Sequence, residues 1–164
     1  MMRIFTAPSR YVQGRDATRE LGRELTHLGL SGSVFIVASA TAERLLSATW
    51  QAALPEAGFA YTVHPFGGEC SQREIDAGTA AAREHQAAVV VGAGGGKALD
   101  TARAIAGELS LPVINCPTLT STDAPCSALS VVYTDDGAFS RLIFYPRNPD
   151  LVLVDTAIVA AAPR

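Results

Sequence analysis

A glycine-rich turn between an apolar run and a helical pattern is the part of this sequence best suited to chemistry. The segment 92–96 contains four glycines, and Lys97, the only lysine among the 13 basic residues, follows it directly. Glycines let backbone N–H groups come close to a ligand, and the N-terminus of a following helix favours an anion. A single lysine in a chain that otherwise uses arginine suggests a need for a compact, flexible ammonium group. We therefore predict a phosphate-binding turn; a tight turn with an exposed lysine is the alternative.

This turn departs from both common phosphate-binding motifs. A P-loop requires glycine at 91 and serine or threonine at 98, where this chain has Val91 and Ala98. The dinucleotide fingerprint is met at Gly92 and Gly94, but its third glycine is replaced by Lys97. These two motifs therefore do not establish a cofactor.

A second polar loop follows the next predicted strand. Residues 117–127 contain five hydroxyl side chains and one carboxylate, Asp123. Ligands of open α/β sheets bind beyond the carboxyl ends of the strands, where both this loop and the glycine turn are expected to lie. The loop is therefore a candidate cofactor site, although serine, threonine, aspartate and proline also simply make good turns.

The sequence around these loops alternates between strand and helix patterns. We predict an extended segment followed by four buried strands, at 5–14, 34–37, 59–66, 88–91 and 112–116. Helical patterns separate them, with Asp16, Thr41 and Ser71 as predicted N-caps. This alternation is typical of a parallel sheet with helices on both faces.

The pattern changes after the second loop. The segments 129–133 and 139–145 flank Asp135-Asp136-Gly137 and predict a β-hairpin. A last buried strand is predicted at 151–154. The predicted fold class is therefore α/β, with a largely parallel sheet flanked by helices and an added β-hairpin.

Composition narrows the class of protein. A chain of 164 residues with 48% hydrophobic residues can form one domain with a substantial core. The net charge of −3 disfavours binding to nucleic acid or to a membrane surface. The N-terminus lacks the apolar core of a signal peptide. Three cysteines without CxxC spacing (Cys70, Cys116 and Cys126) indicate reduced thiols, and we expect a cytoplasmic protein.

Four segments resemble the glycerol dehydrogenase branch of the iron-type, metal-dependent alcohol dehydrogenases, which are related in fold to dehydroquinate synthase. They are 11–14, 65–71, 94–100 and 117–133, and the stretch 121–130 is the most specific. The resemblance covers the whole chain but only the N-terminal half of such an enzyme. It implies a Rossmann-like NAD-binding domain over 1–156, with 157–164 beginning the connection to a C-terminal helical metal domain that is missing here.

The resemblance implies NAD-linked oxidation of glycerol to dihydroxyacetone by hydride transfer. The turn formed by Gly94, Gly95, Gly96 and Lys97 would hold the pyrophosphate, and Asp123 would bind glycerol. The path of the adenosine and nicotinamide would be lined by Thr118, Ser121, Ser127, Leu129 and Tyr133. The complete enzyme would be a homo-oligomer.

The family's catalytic zinc is bound by an aspartate and two histidines of the helical domain, which lie beyond Arg164. None of His27, His64 and His85 has a second ligand nearby in the sequence. We therefore expect no catalytic and no metal-binding residue in this chain, and no dehydrogenase activity from it alone. The alternatives are a stand-alone, non-catalytic nucleotide-binding module and a related polyol or sugar-phosphate enzyme of the dehydroquinate synthase type.

A second departure from the family lies at the end of the second strand. Where the family has an aspartate that contacts the adenosine ribose, this chain has Ser39. An acidic residue there repels the 2′-phosphate of NADP, so its loss weakens the case for strict use of NAD. Arg44 is close enough in sequence to be considered as a phosphate partner. NAD remains the expected cofactor, with NADP as the alternative.

Overall fold

Six parallel strands form the central sheet of the computed structural model, which describes residues 2–3 and 5–162. The strands are β1 (Tyr11–Gly14), β2 (Ser33–Ala38), β3 (Ala60–Pro65), β4 (Ala87–Gly94), β5 (Val113–Pro117) and β8 (Leu151–Asp155). Their order across the sheet is β1-β8-β5-β4-β2-β3. A separate antiparallel pair consists of β6 (Leu129–Tyr133) and β7 (Phe139–Phe144). The predicted α/β fold with an added hairpin is confirmed.

The helices cover both faces of the sheet. They are α1 (Leu21–His27), α2 (Ala40–Glu56), α3 (Gln72–Glu84), α4 (Gly96–Leu109) and α5 (Thr156–Ala160), with a 3-10 turn at Ala17–Glu20. Helices α1 and α2 pack on one face with Val34, Ile36 and the fully buried Trp50. Helices α3 and α4 pack on the other face with Phe35 and Val37. From Val34 to Ala38 the sequence of β2 is continuously apolar, as expected of a strand that is buried on both faces.

Of the predicted helix caps, Thr41 is wrong, and Asp16 occupies the N-cap position of the 3-10 turn without capping it through its side chain. The helix α2 is capped by Ser39, whose Oγ accepts the N–H of Ala42 at 3.2 Å, and Thr41 already lies inside the helix. Asp16 has a left-handed backbone with φ 59° and makes no capping hydrogen bond through its side chain. Its own N–H donates instead to the Asp155 carboxylate at 3.0 Å, a contact between residues 139 positions apart that sequence spacing does not show.

The chain ends of the domain differ slightly from the predicted elements. Strand β1 begins only at Tyr11, so the extended segment predicted from residue 5 is mostly outside the sheet. Residues 163–164 of the predicted connecting segment lie outside the described residues. Within the described part of the chain, no helix has both the length and the apolar character to cross a bilayer.

Candidate functional site

The carboxyl ends of three neighbouring strands meet at one point of the sheet edge. The chain leads from β2 outward to β3 and from β4 in the opposite direction to β5, so the strand order reverses between β2 and β4. The N–H of Ser39 donates to Ala93 O and the N–H of Thr118 donates to Gly94 O, both at 3.0 Å. These bonds join the ends of β2, β4 and β5 at the place where open α/β sheets bind ligands.

The glycine turn ends β4 and begins α4. Gly95 is the N-cap, and no side chain caps the helix. The N–H groups of Ala98 and Leu99 donate to Gly95 O, whereas those of Gly96 and Lys97 have no partner in the part of the chain that the structure describes. Two such donors at the positive end of a helix are suited to an anion.

Lys97 is held beside this turn by two partners. Its Nζ lies 2.6 Å from Glu69 Oε2 and 4.8 Å from the centroid of the Tyr133 ring. The hydrogen bond to Glu69 raises the pKa of the Lys97 amine above its usual range, so the amine is charged at neutral pH. Sequence analysis did not single out Glu69, because 28 positions separate it from Lys97 and no motif spacing links them.

Three buried side chains hold the second loop through its backbone. Arg103 donates to the carbonyl oxygen of residue 124, Asn115 to that of residue 125 at 2.8 Å, and Asn148 to that of residue 126 at 2.7 Å. Each of these side chains is buried. Three consecutive carbonyl groups are therefore fixed from three different elements, and the flanking residues Asp123 and Ser127 are positioned with them.

A buried ion pair links α4 to β6 beneath the loop. Arg103 is 2% exposed and its Nη1 lies 2.7 Å from Asp100 Oδ1. The other carboxylate oxygen of Asp100 accepts the N–H of Val131 at 3.1 Å, and Arg103 also donates to Leu129 O. Burial raises the pKa of Asp100, and the Val131 N–H and the Arg103 guanidinium act against this rise. The pair joins the helix behind the glycine turn to the hairpin that faces it.

A cavity of about 300 Å³ lies between the turn, the loop and β6. The predicted site residues among its lining are Gly96, Lys97, Asp123, Ser127, Leu129 and Tyr133. Ser39 lies beside Gly94 at the strand ends, Thr118 is buried beneath the loop, and Ser121 is exposed on it. A larger cavity of about 400 Å³ lies where β5 begins, at the other end of the sheet, and none of the predicted site residues lines it.

The described residues fit a dinucleotide better than they fit a metal ion. Gly96 keeps the backbone of the turn close to the loop, because an added Cβ atom would lie 3.2 Å from Thr122 Oγ1 and would require that side chain to shift. Within residues 2–3 and 5–162, no three His, Cys, Asp or Glu side chains are grouped so as to hold a metal. His64 instead stacks on Phe35 and has its Nε2 3.6 Å from Glu74 Oε1. A zinc site is not formed by these residues.

The cysteines show no sign of nucleophilic activation. Burial raises the pKa of Cys70 to about 11 and that of Cys116 to about 12. The pKa of Cys126, which precedes the cavity-lining Ser127, is also raised by burial. A thiol with a raised pKa holds little thiolate at neutral pH, so these side chains act as small packing groups.

Known proteins that are similar to this chain in sequence are alcohol dehydrogenases of one family. Residues 8–156 match the family described as iron-containing alcohol dehydrogenase. The chain is 45% identical to the glycerol dehydrogenase of Escherichia coli O6:H1 and 47% identical to that of Pseudomonas putida. Each alignment covers 99% of this chain and 44% of the relative, so the chain spans less than half the length of these proteins.

The fold agrees with this similarity. The crystal structure of a probable glycerol dehydrogenase from Sinorhizobium meliloti 1021 superposes with a TM-score of 0.85 and is 37% identical in sequence. The superposition covers 99% of this chain and 43% of that protein. The similarity therefore extends over the whole chain, including the glycine turn and the second loop.

Proposed function

The chain belongs to the iron-containing alcohol dehydrogenase family, and from this premise we propose that it is the NAD-binding part of a zinc-dependent glycerol dehydrogenase. The observation that carries the proposal is the pair of free N–H groups at Gly96 and Lys97, beside the chain's only lysine and at the reversal of strand order. A dinucleotide pyrophosphate is the ligand whose charge and shape suit this position.

The glycine turn and the second loop would bind different parts of the cofactor. The N–H groups of Gly96 and Lys97 would donate to pyrophosphate oxygens, and the Lys97 ammonium would neutralise part of their charge. Ser39 and Thr118, at the ends of β2 and β5, would contact the adenosine, and the cavity-lining Leu129 and Tyr133 would line the nicotinamide path. NAD, when bound, supplies the acceptor for the hydride.

Asp123 is proposed as the residue that orients the substrate. Its carboxylate lines the cavity together with Ser127, and a carboxylate is a natural acceptor for the hydroxyl groups of a polyol such as glycerol. The zinc implied by the family has no ligand set among the described residues. The work proposed for this chain is therefore to bind the cofactor, to orient substrate and to shield the site from water.

We propose that the complete enzyme is a cytoplasmic homo-oligomer, and that the 164-residue chain alone does not oxidise glycerol.

Replacing Lys97 with alanine tests the cofactor site. We expect the dissociation constant for NADH to rise by about 10–100-fold, since a hydrogen bond to a charged group contributes about 1.5–3 kcal/mol. The measurement is a titration of the purified chain that follows NADH fluorescence. Arg83→Ala, which removes an exposed charge from α3, is the matched control and should bind as the wild-type chain does. Equal affinity in the Lys97 variant, or no saturable binding by the wild-type chain, would contradict the proposal.

Ser39 offers a test of the choice between NAD and NADP. Ser39→Asp keeps an oxygen that can cap α2 and adds a charge that repels a 2′-phosphate. We expect the preference for NADH over NADPH to increase by about tenfold, which corresponds to about 1.4 kcal/mol. Ser39→Asn, which caps equally well without the charge, should leave the preference unchanged. If the aspartate and asparagine variants show the same preference, Ser39 does not lie near the ribose.

A further inference from the structure

Glu69 is the fixed partner in its ion pair with Lys97. Its Oε1 accepts the N–H of Cys70 at 3.0 Å while its Oε2 accepts from Lys97 Nζ at 2.6 Å. The side chain of Glu69 is 20% exposed, whereas that of Lys97 is 47% exposed. The segment that carries the carboxylate is itself held by the hairpin, because the N–H of Tyr133 donates to Cys70 O at 2.8 Å. The carboxylate is thus anchored, and the lysine is the partner that is free to move.

Among the described residues that line the cavity, Lys97 is the one cation, and Asp100 and Asp123 are carboxylates. Lys97 is paired with Glu69, and Arg103 is paired with Asp100 beneath the loop. Asp123 adds a further carboxylate to the lining. A phosphate-binding site normally presents net positive charge. Here the attraction for an anion comes from the backbone N–H groups of the turn together with Lys97, and Glu69 offsets part of the charge of Lys97.

We propose that Glu69 is a specificity-determining residue that acts as the internal counter-ion of Lys97 and limits how much negative charge the turn accepts. It therefore favours the doubly esterified pyrophosphate of a dinucleotide over a nucleotide that ends in a free phosphate. This inference rests on the proposed function and adds to it the charge class of the ligand.

The physical basis is the difference in ligand charge. Each bridging phosphate of a dinucleotide carries a single negative charge, whereas the terminal phosphate of ADP carries about −1.5 to −2 at neutral pH. A fixed carboxylate close to the site repels each ligand in proportion to its charge. ADP therefore loses more affinity than NADH through the presence of Glu69, and it gains more when the charge of Glu69 is removed.

The first test is the isosteric variant Glu69→Gln. With dissociation constants measured at low ionic strength, we expect NADH to bind about threefold more tightly and ADP, measured by displacement of NADH, about tenfold more tightly. The matched control is Glu84→Gln, which removes one exposed carboxylate at the end of α3 and should change neither constant. Unchanged or weaker binding of ADP in the Glu69 variant, or an equal gain for both ligands, overturns the proposal.

The second test does not require a nucleotide. Because Lys97 is the only lysine, reductive methylation with 13C-formaldehyde labels two amines, that of Lys97 and the α-amino group of the chain. Titration followed by NMR should give a lower pKa for Lys97 in the Glu69→Gln variant than in the wild-type chain and no difference for the α-amino group. An unchanged Lys97 titration overturns the counter-ion role. If the wild-type chain binds no NADH, the proposed function fails, and the lysine titration still decides the role of Glu69.

Discussion

Replacing Arg103 with methionine is expected to lower the free energy of unfolding by about 3–5 kcal/mol, the usual result of removing one partner of a buried ion pair. Methionine fills a similar volume but leaves Asp100 buried without its cation. It also leaves the carbonyl groups of Ala124 and Leu129 without the donor that Arg103 supplies. Urea denaturation at neutral pH, followed by circular dichroism, measures the loss directly.

A second variant separates the charge from the packing. Adding Asp100→Asn to the methionine variant removes the unpaired carboxylate and keeps an oxygen for the N–H of Val131, so part of the lost stability should return. Arg103→Lys should not restore the wild-type stability, because one ammonium group cannot reach the three acceptors that the planar guanidinium serves. A methionine variant within about 1 kcal/mol of the wild-type chain, well below the expected loss, would show that the loop is held by Asn115 and Asn148 alone.

The structure gives the Arg103 contacts a functional consequence as well. The loop that Arg103 fixes carries Asp123 and Ser127, and both line the cavity beside the glycine turn. Loosening the loop changes the positions of Ser127, which is proposed to line the cofactor path, and of Asp123, which is proposed to orient the substrate, without replacing either residue. The Arg103→Lys variant should therefore bind NADH more weakly than wild type at a temperature where it is fully folded.

Much of the fold could be predicted from local sequence patterns, because its buried strands are short apolar runs and its helices have a regular apolar spacing. The apolar run of β4 leads into glycines, the strand extends past the predicted end at residue 91 to Gly94, and the helical spacing that follows is unbroken through α4. A strand that is buried on both faces has no polar alternation, so such runs separated by helical patterns predict a parallel sheet. These signals do not depend on distant contacts.

The side chains that hold the candidate site in place could not be predicted from local sequence patterns. Arg103 lies within a helix, where a charged residue is usually solvated, and it is buried only because β6 packs over α4. Glu69 reaches Lys97 because the hairpin holds the segment before α3. The pairing of β1 with β8 likewise joins opposite ends of the chain. Each of these contacts depends on tertiary packing, which the spacing of residues in the sequence does not reveal.

Gly94 belongs to the glycine turn and is also packed closely against Ser39 and Ala98. We therefore expect Gly94→Ala to lower the free energy of unfolding by about 2–4 kcal/mol. Its φ of +152° is rarely adopted by other residues, and an added Cβ would lie 3.0 Å from Ala98 Cβ and 3.1 Å from Ser39 Oγ. Relief of either contact moves the ends of β2 and α4 apart, so NADH binding should weaken at least tenfold, or about 1.4 kcal/mol. Urea denaturation and the NADH titration measure the two effects.

Gly95→Ala is the control for Gly94→Ala, because Gly95 has neither a positive φ nor a close contact at its Cβ position. Gly95 has an ordinary extended backbone with φ −82° and ψ 179°. Its Cβ would meet only Leu119 Cδ2, at the normal contact distance of 3.4 Å. Gly95→Ala should therefore cost about 1 kcal/mol at most, the difference between glycine and alanine at an N-cap. Equal losses of stability in the two variants would mean that the turn needs glycine for flexibility alone, and that the contact between Gly94 and Ser39 does not fix the geometry of the site.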